Sequence, residues 1–149
     1  MTETPAVLVG PILRRVTPDR FVAQLAIRAP AELSLTLTPE GAPSQTLTLR
    51  PGDEGLRVLT AGTRLHYLLI DAPIPQRLPT NCWIDYRIAL RLADDPSGAW
   101  LDHSDWAPDI AYPGRAGPGF RLSDRIGALL HGSCRKPHHR YGDGLATAD

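Results

Sequence analysis

Apolar and polar residues alternate along several short stretches of this chain, and this alternation restricts the fold more than any other feature of the sequence. Between positions 33 and 38, Leu33, Leu35 and Leu37 alternate with serine and threonine. A period of two places every second side chain on one face of an extended strand, whereas a helix requires a period near 3.6. The stretch therefore predicts a β-strand with one buried face.

The same alternation recurs from position 21 to position 92, and turn signals such as Pro39-Glu40-Gly41 and Pro51-Gly52-Asp53 separate the stretches. Strands at intervals of roughly ten residues, each with one polar face, are typical of two antiparallel sheets packed face to face. We therefore predict a mainly β domain over residues 1–95, an antiparallel β-sandwich of the fibronectin III or Ig-like kind. The residues predicted to point inward are Leu33, Leu35, Leu37, Ile84, Tyr86, Ile88 and Leu90. Further alternating residues are Phe21, Ala23, Leu25, Ile27, Leu47, Leu49, Leu65, Tyr67, Leu69 and Leu92.

Composition and charge exclude several classes of protein. A hydrophobic content of 42% with 21% charged residues is ordinary for a globular domain. The net charge is zero, which argues against nucleic-acid binding, and no apolar run is long enough for a membrane span. The N-terminus lacks the features of a secretory signal, and Cys82 and Cys134 are too far apart to suggest a disulfide framework. We therefore expect a cytoplasmic protein with reduced thiols that binds neither nucleic acid nor membrane.

The character of the sequence changes after residue 95. Proline and glycine are frequent in the segment 96–122, which we predict to be a linker that leaves the sandwich. The stretch Ile126 to His131 then predicts a buried strand, and Asp143 is a suitable N-cap for a following helix. Strand, loop and helix in this order are typical of the start of an α/β unit. Residues 123–149 are therefore predicted to begin a second domain.

A loop rich in reactive side chains follows the predicted strand. Its chemistry-bearing residues are His131, Cys134, Arg135, Lys136, His138 and His139. The tip of a strand aims a side chain rigidly, and the loop beyond it exposes that side chain to ligands. The two neighbouring cations favour the thiolate form of Cys134, which suits a metal ligand or a nucleophile.

Several interpretations of Cys134 are open. The three histidines and the thiol offer four zinc ligands, but structural zinc sites normally use two paired ligand sets, and no second set is present. Cys134 and Arg140 have the C-x5-R spacing of a cysteine phosphatase, but Pro137 removes a backbone donor that such a loop needs. Cys134 could instead be one ligand of a multi-metal site that residues beyond this sequence complete, or a buried structural thiol.

The loop and its flanks resemble the start of the catalytic domain in alkaline phosphatase D-like (PhoD-like) metallophosphatases. The matching segments are Leu130-His131-Gly132-Ser133-Cys134 and the helix start at 143–149. The opening segment at 9–19, which reads VGPILRRVTPD, is similar to the start of the β-sandwich that precedes the catalytic domain in that family. The resemblance follows the order of the whole chain but covers only the front part of a family member.

The resemblance implies that Cys134 is a ligand of a catalytic metal, in a centre that uses iron and calcium to hydrolyse a phosphoester. The family's remaining Asp, Asn and His ligands have no counterpart in this sequence. We therefore expect a truncated α/β metallophosphatase domain after the linker, and no hydrolytic activity from these 149 residues alone. The alternative is a stand-alone, non-enzymatic β-sandwich used for binding or assembly, in which Cys134 is structural.

Four aromatic residues suggest packing rather than a ligand site. Trp83 and Tyr86 lie beside or within the last strand of the predicted sandwich, where core or sheet-face packing is expected. Trp100 and Trp106, in the predicted linker, could line a groove, but such residues more often attach a loop to the domain beneath it.

Two polar features complete the candidate residues. Asp102, His103, Asp105 and Asp109 fit no known calcium loop, so we interpret them as a solvated acidic turn. His66 is predicted to lie on the polar face of its strand, toward water.

Overall fold

The computed structural model describes residues 4–128, about half of which form two four-stranded antiparallel sheets. The strands are β1 (Val7–Thr17), β2 (Arg20–Ile27), β3 (Ala31–Pro39), β4 (Gln45–Leu49), β5 (Leu56–Gly62), β6 (Leu65–Pro73), β7 (Trp83–Leu92) and β8 (Gly119–Arg121). The first sheet has the order β1-β2-β6-β5 and the second has the order β4-β3-β7-β8. A four-residue helix, α1 (His103–Trp106), and a 3-10 turn at Pro108–Ile110 lie between β7 and β8.

One hydrophobic core lies between the two sheets, as the period-two pattern predicts. Leu33, Leu35 and Leu37 of β3 are fully buried, which confirms the predicted orientation of this strand. In β7, the predicted inward residues are also buried, so β3 and β7 contribute the same face of the second sheet. Cross-strand register aligns Leu35 with Leu47 and with Ile88, which brings apolar side chains side by side.

Strand β6 differs from the prediction. Its inward residues are His66, Leu68 and Ile70, whereas Tyr67 and Leu69 point outward and remain partly exposed. The prediction that His66 faces water is therefore wrong, because only 5% of this residue is exposed. Nearly every residue in the first half of β6 is apolar, so alternation cannot determine its phase, and pairing with the buried residues of β2 decides it.

The proline- and glycine-rich segment 96–122, predicted as a linker, packs back on the sheets. Leu90 and Leu101 exchange two backbone hydrogen bonds of 2.8 Å, which fix the start of the segment beside β7. Its end forms β8, in which Phe120 pairs with Ile84 and packs against the core. A strand of three residues is too short to show a periodicity, so the sequence pattern does not reveal it.

The end of the described chain carries little regular structure. Residues 126–128, the described part of the predicted strand Ile126 to His131, are not in a strand, and Ile126 is 81% exposed. The rest of that strand, the Cys134 loop and the predicted helix at Asp143 lie outside the described residues. Among residues 4–128, no helix has the length and apolar character needed to cross a membrane.

Candidate functional site

A polar cleft of about 510 Å³ lies on the outer face of the second sheet, where α1 and the loop before β8 pass over β3 and β7. Alternate residues of β3 and β7 form the core, and the residues between them, which point outward, are mostly polar. The cleft is lined by Thr36, Thr38, Asp85, Tyr86, Arg87, Asp102, His103, Ser104, Ala116 and Gly117.

The wall of the cleft at α1 is held by a capping box. The carboxylate of Asp102 accepts hydrogen bonds from the backbone N–H of Ser104 at 2.9 Å and from its hydroxyl at 2.6 Å. The carboxylate of Asp105 in turn accepts a bond of 2.8 Å from the backbone N–H of Asp102. These bonds satisfy backbone donors that the start of a helix leaves unpaired. Two of the predicted acidic-turn residues therefore have a structural role here.

Arg87, Asp102 and Asp85 of the cleft each have a partner within the chain. Arg87 lies 3.6 Å from the carboxylate of Asp102. The hydrogen bond from the Ser104 side chain, more than any other contact, holds the pKa of Asp102 below its usual value, and the positive charge of Arg87 adds to this effect. Asp85, the other carboxylate of the cleft, accepts a hydrogen bond of 2.7 Å from the indole Nε1–H of Trp83.

His103 forms one side of the cleft and is closely packed. Its Nε2 lies 3.2 Å from the carbonyl oxygen of Ala116, and because a carbonyl only accepts, Nε2 must carry the proton in this contact. The other ring nitrogen, Nδ1, is buried and has no hydrogen-bond partner among the described residues. Gly117 allows the close approach of the ring, since a Cβ there would lie 3.2 Å from the Cε1 atom of His103.

Beside the cleft, the ring of Trp83 contacts one cation and one aromatic ring. The guanidinium of Arg115 lies 4.5 Å from the Trp83 ring centroid, and the ring of Tyr112 meets it edge-on at 6.2 Å. Arg115 also donates a hydrogen bond of 2.8 Å to Glu40, which lowers the pKa of that carboxyl. The stack fits closely because Gly119 has no side chain, and a Cβ there would come within 2.6 Å of the indole.

The hydroxyl of Ser104 and the acidic residues of the cleft bear on whether it could support hydrolytic chemistry. The Ser104 hydroxyl donates to Asp102 rather than to an imidazole that could act as a base, so it is not activated as a nucleophile. Within residues 4–128, no group of three or more His, Cys, Asp or Glu side chains is arranged to hold a metal ion. The metal ligand that the family resemblance implies, Cys134, lies outside these residues.

The structure describes only one of the two cysteines. Cys134, the predicted metal ligand, lies outside the described residues, together with His131, His138 and His139. Cys82 is a half-buried free thiol whose Sγ has only a weak contact, at 3.9 Å, with the carbonyl of Pro79.

The aromatic residues of the predicted linker behave mainly as packing elements. Trp106 packs against the core and donates from Nε1 to the carbonyl of Leu101 at 3.3 Å. Trp100 is partly exposed, and the guanidinium carbon of Arg91 lies over its indole, 4.9 Å from the centroid of the Trp100 ring. Sequence reasoning did not identify Arg87 or the threonines of β3 as cleft residues. The alternation in β3 and β7 indicates that these residues point away from the core. Nothing in the sequence showed that the segment 96–122 returns to cover them.

The comparisons with known proteins gave no assignment. A scan against protein-family models, a search of curated proteins and a search of solved structures each found no match to this chain.

Proposed function

We propose that this chain is the N-terminal portion of a metal-dependent phosphoester hydrolase of the alkaline phosphatase D-like type, and that it has no hydrolytic activity alone. The observation that carries the proposal is the order of parts along the chain. Two packed antiparallel sheets come first, the proline- and glycine-rich segment 96–122 completes the second of them, and the Gly132-Ser133-Cys134 sequence comes next. The family in question has the same order of parts.

The strand order supports the finer classification of the sandwich as fibronectin III or Ig-like. In Ig domains, the first, second, fifth and fourth strands form one sheet and the third, sixth and seventh form the other, named ABED and CFG. Naming β4 as the additional C′ strand makes the observed orders A-B-E-D and C′-C-F-G. The similarity concerns topology alone, since this fold serves many unrelated functions.

In this proposal, the sandwich anchors the segment that leads to Cys134. Asn81 donates from its backbone N–H to the carbonyl of Leu122 at 2.6 Å, and Arg121 donates to the carbonyl of Asn81 at 3.1 Å. Asn81 has a φ of 64°, a left-handed conformation that asparagine tolerates better than most residues. These hydrogen bonds fix the end of β8 and the next residue, Leu122, beside Asn81, close to the start of β7.

The catalytic chemistry would come from Cys134 and from ligands outside this sequence. By the family resemblance, the complete centre would contain iron and calcium, and such centres activate water and neutralise the phosphate oxygens.

The proposal is tested with the genomic sequence downstream of the codon for Asp149. We expect the reading frame to continue, and the extended protein to contain metal and to hydrolyse an aryl phosphodiester. Cys134→Ser should lower both its metal content and its turnover, whereas Cys82→Ser should change neither. An extended protein without bound metal, or phosphodiester turnover by the 149-residue chain that Cys134→Ser abolishes, would contradict the proposal.

A further inference from the structure

The segment 102–117, which contains α1 and leads to β8, is joined to the sheets by backbone hydrogen bonds only beyond its two ends. Leu101, just before α1, exchanges two backbone hydrogen bonds of 2.8 Å with Leu90 of β7. Pro118, just before β8, accepts a hydrogen bond of 2.9 Å from the backbone N–H of Tyr86, also in β7. Every backbone hydrogen bond that the structure shows for residues 102–117 stays within that range.

The part of this segment beyond α1 has little apolar contact with the core. Trp106 packs against the core and Gly117 is buried, but none of residues 107–116 is buried. We name residues 107–116 the strap. Few buried apolar contacts and hydrogen bonds close to solvent are the features of regions that open locally, without unfolding of the whole domain.

A tight turn presents two side chains of the strap to the same indole. The backbone N–H of Arg115 donates to the carbonyl of Tyr112 at 3.0 Å, across Pro113 and Gly114, and Gly114 has a φ of 80°. Proline at the second position and glycine with a positive φ at the third are typical of a type II turn. The turn brings the Tyr112 ring and the Arg115 guanidinium within 6.2 and 4.5 Å of the Trp83 ring centroid.

Polar side-chain contacts hold the closed strap in place. Arg115 donates a hydrogen bond of 2.8 Å to Glu40, and the two side chains are 38% and 55% exposed. The carbonyl of Ala116 accepts from Nε2 of His103 at 3.2 Å. An ion pair between exposed side chains contributes little free energy, because water and salt screen it. The closed strap is therefore held much more weakly than the core.

We propose that the strap unfolds locally as one unit while the two sheets stay folded, and that Arg115 is the latch that keeps it closed. Trp106 and Gly117 bound the unit, because the first packs against the core and the second is buried. The inference goes beyond the proposed phosphatase function and is independent of it, since no residue involved belongs to the Cys134 loop.

Opening of the strap changes access to the polar cleft. Ala116, at the end of the strap, lines the cleft, and its carbonyl contact with His103 closes one side. Opening also uncovers the indole of Trp83, which donates a hydrogen bond to Asp85 in the cleft. The strap is thus a conformational device that controls how much of the outer face of the second sheet is accessible.

Amide hydrogen exchange of the full 149-residue chain, followed by NMR, tests whether the strap opens separately. The hydrogen-bonded backbone N–H groups of Ala107, Ile110 and Arg115 are the probes. We expect one common protection factor for the three, at least about 100-fold below that of Leu35 in β3 and little affected by low concentrations of urea. Exchange of the probes only through global unfolding, with the urea dependence of Leu35, would overturn the inference. Clearly different protection factors for the three would also overturn it, because the strap would then not open as one unit.

Arg115→Ala tests the latch. The substitution removes both the ion pair with Glu40 and the contact with the Trp83 ring, so the remaining probes, Ala107 and Ile110, should exchange about tenfold faster. Leu35 should exchange as in the wild type, which shows that the sandwich remains folded.

Arg91→Ala is the matched control. Arg91 also pairs with a glutamate, Glu32, and also lies over an indole, that of Trp100, but it belongs to β7 and lies outside the strap. It should leave the exchange of Ala107 and Ile110 unchanged. Equal effects of the two alanine substitutions would contradict the role of Arg115 as the latch.

Fluorine NMR of the chain labelled with fluorotryptophan follows the strap from outside it. The signal of Trp83 shifts between H2O and D2O in proportion to the exposure of its indole. Glu40→Gln removes the charge that Arg115 binds but leaves Arg115 in place, so an increase in this shift reports opening rather than loss of a covering side chain. We expect an increase for Glu40→Gln and none for Glu32→Gln. A Trp83 signal that Glu40→Gln leaves unchanged would count against the proposal.

Discussion

The ring centroids of Phe21 and Tyr86 lie 5.4 Å apart across the space between the two sheets, with the rings tilted by 59°. Phe120, from the last strand, approaches both rings at 6.2 and 6.1 Å. Aromatic pairs in this range of distance and tilt stabilise a core beyond the area that they bury. This cluster therefore brings the first sheet, the second sheet and the segment 96–122 into contact at one place in the core.

Phe21→Ala is expected to destabilise the domain by about 3–5 kcal/mol, because Phe21 is fully buried and its removal leaves a cavity between the sheets. Urea denaturation followed by circular dichroism measures the loss. Tyr112→Ala is the control, since Tyr112 is 59% exposed, and it should cost less than about 1 kcal/mol. Similar losses for the two variants would mean that the cluster does not connect the sheets as described.

The phase of β6 predicts opposite results for neighbouring leucines. Leu68 is fully buried, so Leu68→Ala should destabilise the domain by about 2–5 kcal/mol. Leu69 is 36% exposed on the outer face, and Leu69→Ala should cost about 1 kcal/mol or less. Both variants can be compared by the midpoint of urea unfolding. A larger loss for Leu69→Ala would indicate that the strand is shifted by one residue.

The capping box predicts that Asp102→Ala loosens α1 and lowers the free energy of unfolding by about 1 kcal/mol. Amide hydrogen exchange over residues 101–107 should become faster, while exchange in β3 stays slow. Asp102→Asn is the matched control, because asparagine caps helices about as well as aspartate and should retain most of the protection. If the asparagine variant loses as much protection as the alanine variant, the charge of Asp102 near Arg87 matters more than its cap.

The pair formed by Arg20 and Asp71 predicts a loss of stability in acid. Arg20 donates to the two carboxylate oxygens at 2.5 and 2.8 Å, and this bonding holds the pKa of Asp71 below 3.8, its ordinary value. A lowered folded-state pKa means that the stabilisation is complete above the unfolded pKa and is lost as the pH falls through the folded one.

Thermal melts of the wild type and Asp71→Asn between pH 7 and pH 2 measure this loss. The difference in melting temperature between the two proteins should be constant near neutrality and should shrink as the pH falls below 3.8. Asp124→Asn, a change at an exposed carboxylate after β8, provides the comparison. A difference that stays constant down to pH 2 would show that Arg20 does not bind the Asp71 carboxylate in solution.

Only part of the candidate site was predictable from the sequence. Asp102, His103 and Asp105 were recognised as a polar turn, but their grouping over β7 depends on the path of the chain after Leu101. The role of Asp102 as an N-cap could have been inferred, because Asp102 and Asp105 have the spacing of a capping box. Arg87 faces the cleft because Ile88 faces the core, but only the returning segment makes that position part of a cleft.

The sequence alone determined that this chain forms strands and which faces of β2, β3 and β7 are buried. In β3 apolar and polar residues alternate cleanly, so burying the polar set would cost free energy at every second position. In β2 and β7 the outward set also contains alanine and valine, but Gln24, Asp85 and Arg87 in the same set oppose its burial. Only the tertiary structure decided which face of β6 is buried. Leu68 and Leu69 are equally apolar, and pairing with β2 determines that Leu68 is the one in the core. The tertiary structure also decided that Phe120 returns to the core, because such a long-range contact leaves no local pattern in the sequence.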